Sequence, residues 1–262
     1  MTPAAEAALP RAGRFGETMR TDLWWKQPLL IGLGFLAFII YSTWAAFQGA
    51  HYYYGPYLSP FYSPELFGDS PHSWFGPKPI LWPGWLLFSP ALLILWAPGG
   101  LRLTCYYYRG AYYKALWADP PACTVGEPRK KYLGERSFPL IVQNVHRYFL
   151  YLAIIFIGIL SYDAWKGFWF DGHFGIGVGT IVLLINVVLL ACFTFGCHAL
   201  RHLIGGFRDQ LSRSATFPAY RCVTCLNQRH MLWAWLSLFW VGFSDLYVRL
   251  CSLGVWHDFR LI

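Results

Sequence analysis

The stretch "IGVGTIVLLINVVLLACFTFGCHALRH", residues 176–202, decides how the whole chain is read. From Ile176 to Leu200 it contains no Asp, Glu, Lys or Arg. A hydrocarbon core of about 30 Å is crossed by about 20 apolar residues in helical form, so a membrane span is expected over 176–197. The span ends in cysteine and histidine. A second stretch, "YRCVTCLNQRH" at 220–230, follows closely, so that Cys197, His198, His202, Cys222, Cys225 and His230 flank one short connection.

Four more apolar runs extend the pattern outward: 27–47, 81–97, 148–165 and 231–256. Pro83 and Pro90 interrupt the second, which predicts a kink there. The 262 residues are 56% hydrophobic and only 13% charged, against roughly 25% charged in an ordinary soluble domain. Aromatic residues, 20% of the chain, crowd the ends of the runs as interfacial belts do. The expected fold is all-α: a polytopic transmembrane helical bundle of five spans. Residues 1–26 form an N-terminal segment, and 27–262 the bundle with loops at 99–147 and 203–229. The first 25 residues lack the apolar core and cleavage site of a secretory signal. Seven cysteines, several inside apolar runs, do not form the pattern of a secreted disulfide framework.

Charge sets the orientation. Of the 21 Lys and Arg residues, 17 lie before the first run, between the second and third, or between the fourth and fifth. Positive charge concentrates on the cytoplasmic side, so the N-terminus is expected in the cytoplasm of a multi-pass plasma-membrane protein. The net charge of +8 is mostly this asymmetry and gives no ground for a nucleic-acid partner.

The same orientation places His146, His198, His202 and His230 at one depth, together with Cys197, Cys222 and Cys225, with Cys105 within reach. His198 and His202 stand one helical turn apart, and Cys222 and Cys225 form a C-x-x-C; each pair has the spacing of a metal chelate. Two Cys on one iron and two His on the other is the Rieske arrangement of a [2Fe–2S] cluster. Zinc in a structural site would use the same four ligands, and bis-histidine haem b would pair histidines from different helices but leave the C-x-x-C unexplained; both remain alternatives. Covalent haem attachment needs C-x-x-C-H, which is absent. Asp245 with Arg249, and Asp163 with Lys166, carry charge inside spans, read either as proton delivery or as ion pairs near the outer interface.

The stretches "STWAAFQGAHYYYGPYLSPFYSPELFG" (42–68), "LLFSPALLILWAPGGLRLTCYYYRGAYYKALWADPPAC" (86–123), "FPLIVQNVHRYFLYLA" (138–153), "FGCHALRHLIGG" (195–206) and "CVTCLNQRHMLWAWLSLF" (222–239) resemble the membrane-anchor subunit of mycobacterial and actinobacterial succinate dehydrogenase, respiratory complex II. The resemblance implies a Rieske-type [2Fe–2S] cluster held by two Cys and two His, here His198, His202, Cys222 and Cys225, with His230, Cys197 and His146 as substitutes. It implies flavoprotein and iron–sulfur partner subunits on the cytoplasmic side, docked on the 99–147 loop, and a quinone, with menaquinone the expected species. Tyr148, Trp233 and Trp235 are the expected quinone-pocket residues. No residue is assigned to succinate chemistry, which belongs to a partner. Lipid surrounds the bundle, and a higher oligomer of the complex is compatible with it.

Overall fold

The computed structural model describes residues 14–85, 87–128, 137–138, 140–206 and 210–262. Most of the basic stretch of the expected docking loop, including Arg129, Lys130, Lys131 and Arg136, lies outside the described residues. Four helical segments are long and apolar enough to cross a membrane: 26–48, 140–166, 178–195 and 230–252. The chain is a helical membrane bundle, as composition and periodicity require.

Helix α1 (Lys26–Gln48) stops at Gly49, whose φ of 59° gives the left-handed turn that closes a helix end. A short hairpin, β1 (Tyr53–Tyr54) with β2 (Tyr57–Leu58), follows. Irregular chain follows over 59–85; its first part, 59–72, buries most of its side chains, while Phe75, Ile80, Leu81 and Trp85 are exposed. The second expected span is corrected here. Residues 81–85 and 87–89 are not helical, and the helix begins only at Pro90. Proline is at home in the first helical position, where its missing N–H costs nothing, so Pro90 starts the helix and does not kink it. The bend comes later, at Leu95, between α2 (Pro90–Ile94) and α3 (Trp96–Thr104). Pro98 cannot donate to the Ile94 carbonyl four residues back, which accounts for it. Cys105 is extended (φ −64°, ψ 130°) and separates α3 from α4 (Tyr106–Ala115).

A 3-10 turn over 140–145 leads into α5 (His146–Lys166). A second hairpin, β3 (Trp169–Phe170) with β4 (His173–Phe174), turns through Asp171 and Gly172, both at positive φ. Helix α6 (Val178–Phe195) ends at Gly196, and an extended Cys197 (φ −68°, ψ 138°) starts α7 (His198–Gly205). The expected loop 203–229 is largely helical in its second half, with α8 spanning Phe217–Gln228. Helix α9 (His230–Ser252) completes the bundle, and the C-terminal residues return to pair with 176–178, Leu261 N–H donating to the Ile176 carbonyl at 2.7 Å.

Helix α6 packs on α9, α5 on both α3 and α6, α1 on α4, and α7 on α8. The inner core joins Phe35, Leu101, Tyr108, Leu150, Phe193 and Leu238 with two cysteines, Cys105 and Cys197. At the opposite end the two intramembrane charge pairs are satisfied locally. Asp245 faces Arg249 at 3.3 Å and accepts from Tyr41 Oη at 2.6 Å and from Ser59. Asp163 meets Lys166 at 2.9 Å and accepts from Ser63. These are ion pairs built into the fold.

Candidate functional site

Four positions set the site, and each marks a place where one helix begins. Cys105 precedes α4, Cys197 precedes α7, His146 opens α5 and His230 opens α9. Helix N-termini carry unpaired N–H groups and a partial positive charge, so their meeting point favours anionic or electron-rich groups. Both cysteines sit there because the chain is extended for one residue between two helices, which turns the side chain inward. Both are almost fully buried, at 2% and 4% exposure.

The side chains face one another as two Cys–His pairs. Cys105 Sγ lies 3.4 Å from His230 Nε2, and Cys197 Sγ lies 2.9 Å from His146 Nε2. The tautomer of His146 follows from its neighbour. Thr104 Oγ1 is 2.7 Å from the Gly100 carbonyl and 2.8 Å from His146 Nδ1. A hydroxyl has one proton, which the carbonyl requires, so His146 Nδ1–H donates to Thr104. Its Nε2 then keeps a lone pair directed at Cys197, the form in which an imidazole binds a metal. His230 Nδ1 is buried with no hydrogen-bond partner among the described residues, and so is Trp233 Nε1. Native interiors seldom leave such atoms unmet without a bound group. His230 also stacks on Phe193, with ring centroids 5.0 Å apart and planes 18° from parallel.

These four side chains line a cavity of 620 Å³ together with Thr104, Asn144 and His198. Burial pushes the Cys197 thiol up to about 11, against the pull of the amide groups of Ala199 and Leu200. His198 is shifted down, first by burial and then by the neighbouring His202 and Arg201.

The ligand quartet expected from spacing does not assemble. His198 and His202 do meet, Nε2 to Nε2 at 2.9 Å. Cys222 and Cys225, however, are exposed on α8. Because that segment is helical, its buried face is taken by Val223, while Thr224 bonds Arg201 at 3.2 Å; the thiols on either side of these two residues are left on the exposed face. Among the described residues no three His, Cys, Asp or Glu side chains close on one point as a single metal ion demands. The substitutes Cys197, His146 and His230 do come together, joined by Cys105. The sequence put Cys105 within reach of this group but not among the expected ligands, since it sits inside an aromatic run, "TCYYYRGAYY", that reads as continuous helix.

The three expected quinone residues separate. Trp235 lines an open pocket of 470 Å³ with Lys26, Gln27, Tyr107 and Met231, and its Nε1 donates to Tyr107 Oη at 2.6 Å. Tyr107 also lines the Cys–His cavity, so the two spaces are adjacent. Tyr148 is largely exposed under Arg147, and Trp233 packs against the inner core; neither lines that pocket.

A family model described as actinobacterial succinate dehydrogenase subunit SdhC matches residues 26–254. The fold is similar to a chain of the Mycobacterium smegmatis Sdh1 complex in the apo form, with a TM-score of 0.87 and 42% identity over 97% of this chain and 98% of that one. No curated protein matches.

Proposed function

Because the chain belongs to the family of the actinobacterial succinate dehydrogenase subunit SdhC, and is thus a membrane subunit of that enzyme, we propose that it holds a Rieske-type [2Fe–2S] cluster on Cys105, Cys197, His146 and His230 and delivers electrons to a quinone. The carrying observation is that two buried thiols and two imidazoles, drawn from four helix starts, face one cavity as two pairs. A two-iron cluster divides its four protein donors between two metals, which suits two pairs better than the single tetrahedral knot of zinc. A bis-histidine haem would use the imidazoles and leave two buried thiols without a role. When bound, such a cluster supplies one-electron transfer at a potential raised by its histidine ligands.

The chain's own groups do the positioning. Thr104 fixes the His146 tautomer, and the helix starts keep the thiols in an electropositive setting. Phe193, Tyr108 and Leu150 shield the site from lipid and water. The pocket beside Trp235 receives the quinone ring; Lys26 and Gln27 lie there as hydrogen-bond donors to a carbonyl oxygen, and Tyr107 is shared with the cluster cavity. Flavoprotein and iron–sulfur subunits dock on the face that carries the cavity. That face lies toward the cytoplasm, as the distribution of positive charge requires.

Iron, acid-labile sulfide and the electron paramagnetic resonance spectrum of the purified complex test the assignment. Cys105→Ser and Cys197→Ser are each expected to abolish the reduced-state signal and quinone reduction while succinate still reduces an artificial acceptor. A complex with haem and no labile sulfide would overturn the reading. So would a Cys105→Ser complex with its signal intact.

A further inference from the structure

Arg102 lies on α3, one turn from Cys105, and its surroundings are unusual for a cation. Its guanidinium donates to Tyr108 Oη, to the Ala234 carbonyl at 3.3 Å and to Ser237 Oγ at 3.0 Å. All three partners are neutral, and among the described residues no carboxylate pairs with it. It is also the only charged side chain lining a 280 Å³ apolar cavity between α1, α3, α5, α6 and α9. Arg102 is half-buried, and a charged side chain within a membrane bundle that has no counter-ion is a candidate for function.

The geometry indicates what the charge acts on. The guanidinium carbon lies 4.8 Å from the centroid of the Phe193 ring, and that same ring stacks on His230 at 5.0 Å. The arginine is therefore anchored beside a cluster ligand with one aromatic ring in contact with both. Its hydrogen bonds to Ala234 and Ser237, one turn and two turns along α9 from His230, hold it in that place.

We propose that Arg102 is a positioning residue whose fixed charge favours the reduced form of the cluster and so raises the potential at which electrons are passed to the quinone. The inference rests on the cluster assignment made above. Two ferric ions, two sulfides and two thiolates sum to zero charge. One electron, supplied by the partner iron–sulfur subunit and later handed to the quinone, makes that sum −1. A neighbouring cation in a medium of low dielectric constant stabilises the second state over the first.

The competing role is mechanical, a cross-link between α3 and α9, and a redox titration separates the two. The complex is purified with the parent sequence, Arg102→Lys and Arg102→Gln, and the cluster signal is followed against potential. Arg102→Gln is expected to shift the one-electron equilibrium at least tenfold toward the oxidised form, about 59 mV lower. Arg102→Lys, which keeps the charge and loses the fork of donors, is expected to shift it by less than half as much. Iron and sulfide content, measured on the same samples, reports whether the cluster is assembled. A parent complex without labile sulfide defeats the cluster assignment and this inference with it. A cluster present at the parent potential in Arg102→Gln overturns the inference alone. So does loss of the cluster in both Arg102→Gln and Arg102→Lys, because a site that fails with or without the charge depends on the fork of donors and hence on packing. Ser237→Ala, which removes one anchor and no charge, is expected to lower the potential slightly and to leave assembly unchanged.

Discussion

At the hairpin end of the bundle, the outer end in the orientation proposed, Glu65, Asp163 and Asp245 are buried carboxylates, and each finds its donors within the chain. At the other end, two buried cysteines and two histidines face each other while His230 Nδ1 and Trp233 Nε1 find none. Glu65 accepts from Tyr52 Oη at 2.9 Å and from Ser70; half-buried Asp258 accepts from Tyr57, Tyr247 and the Gly179 amide at 2.6–2.9 Å. Ion pairs and charge-assisted bonds of this kind lock loops and helix ends together. The outer end is complete as it stands, whereas the inner end is arranged around something further. The difference teaches where to look for chemistry: a satisfied buried charge is architecture, and a converging set of unsatisfied soft donors is a site.

The largest effect expected at the outer end comes from Arg249. It bonds Asp245 and the Ala50 carbonyl, the latter at 2.8 Å, and its guanidinium lies 5.3 Å from the Trp44 ring. Arg249→Met leaves a carboxylate at 0% exposure with hydroxyl donors only, and breaking such a pair costs about 3–5 kcal/mol. The thermal midpoint of the purified complex should fall well below that of the parent. Adding Asp245→Asn should recover part of the loss, because the buried charge is then gone. The cluster signal of the folded fraction should not change. A spectral change would mean that the two ends are coupled, and the division drawn between them would fail.

Four of the five expected spans were legible because a membrane helix is written in consecutive apolar residues, and the Asp245–Arg249 and Asp163–Lys166 pairs because helical neighbours are neighbours in sequence. Glu65 and Asp258 were not, since their partners arrive from distant turns and from the C-terminal return. Composition and depth singled out His146, Cys197 and His230 as substitutes, while spacing put Cys222 and Cys225 with His198 and His202 first. Cys222 and Cys225 have chelate spacing, and only the tertiary fold of α8 turns them outward. Cys105 was within reach by depth, but nothing in "LTCYYY" announces the single extended residue that breaks the helix there. A one-residue break leaves no trace in periodicity. Trp235 was singled out for its place near the expected site, while its partner Tyr107 was lost among the five tyrosines of "YYYRGAYY".

A smaller effect concerns acid. His72 lies in the irregular outer segment, buried, its Nε2 3.1 Å from the Gly55 carbonyl. Burial lowers its pKa, opposed by that carbonyl and by Asp163 and Glu65, while Lys166 adds to the lowering. The unfolded chain then takes up a proton near pH 6.5 that the folded chain still refuses. Stability contributed by neutral His72 is therefore full above that value and declines as pH falls through it toward the folded value. Unfolding midpoints measured from pH 7.5 to 5 should drop, and His72→Gln should flatten the slope. An identical slope in the variant would assign the acid sensitivity to another group.

The smallest expected effect carries the sharpest test of the inner site. Cys222→Ser with Cys225→Ser changes two exposed thiols on α8, and exposed substitutions away from special features usually cost within 0.5 kcal/mol. Iron, labile sulfide, cluster spectrum and quinone reduction should all match the parent. Loss of iron in that double variant would mean that α8 unwinds in the assembled complex to bring its C-x-x-C to His198 and His202. The Cys105–His230 and Cys197–His146 pairs would then be packing contacts, and the inner end would owe its unmet donors to something other than a cluster. Retention of iron leaves the four helix starts as the only buried pairs of thiol and imidazole among the described residues, and the contrast with the outer end stands on them.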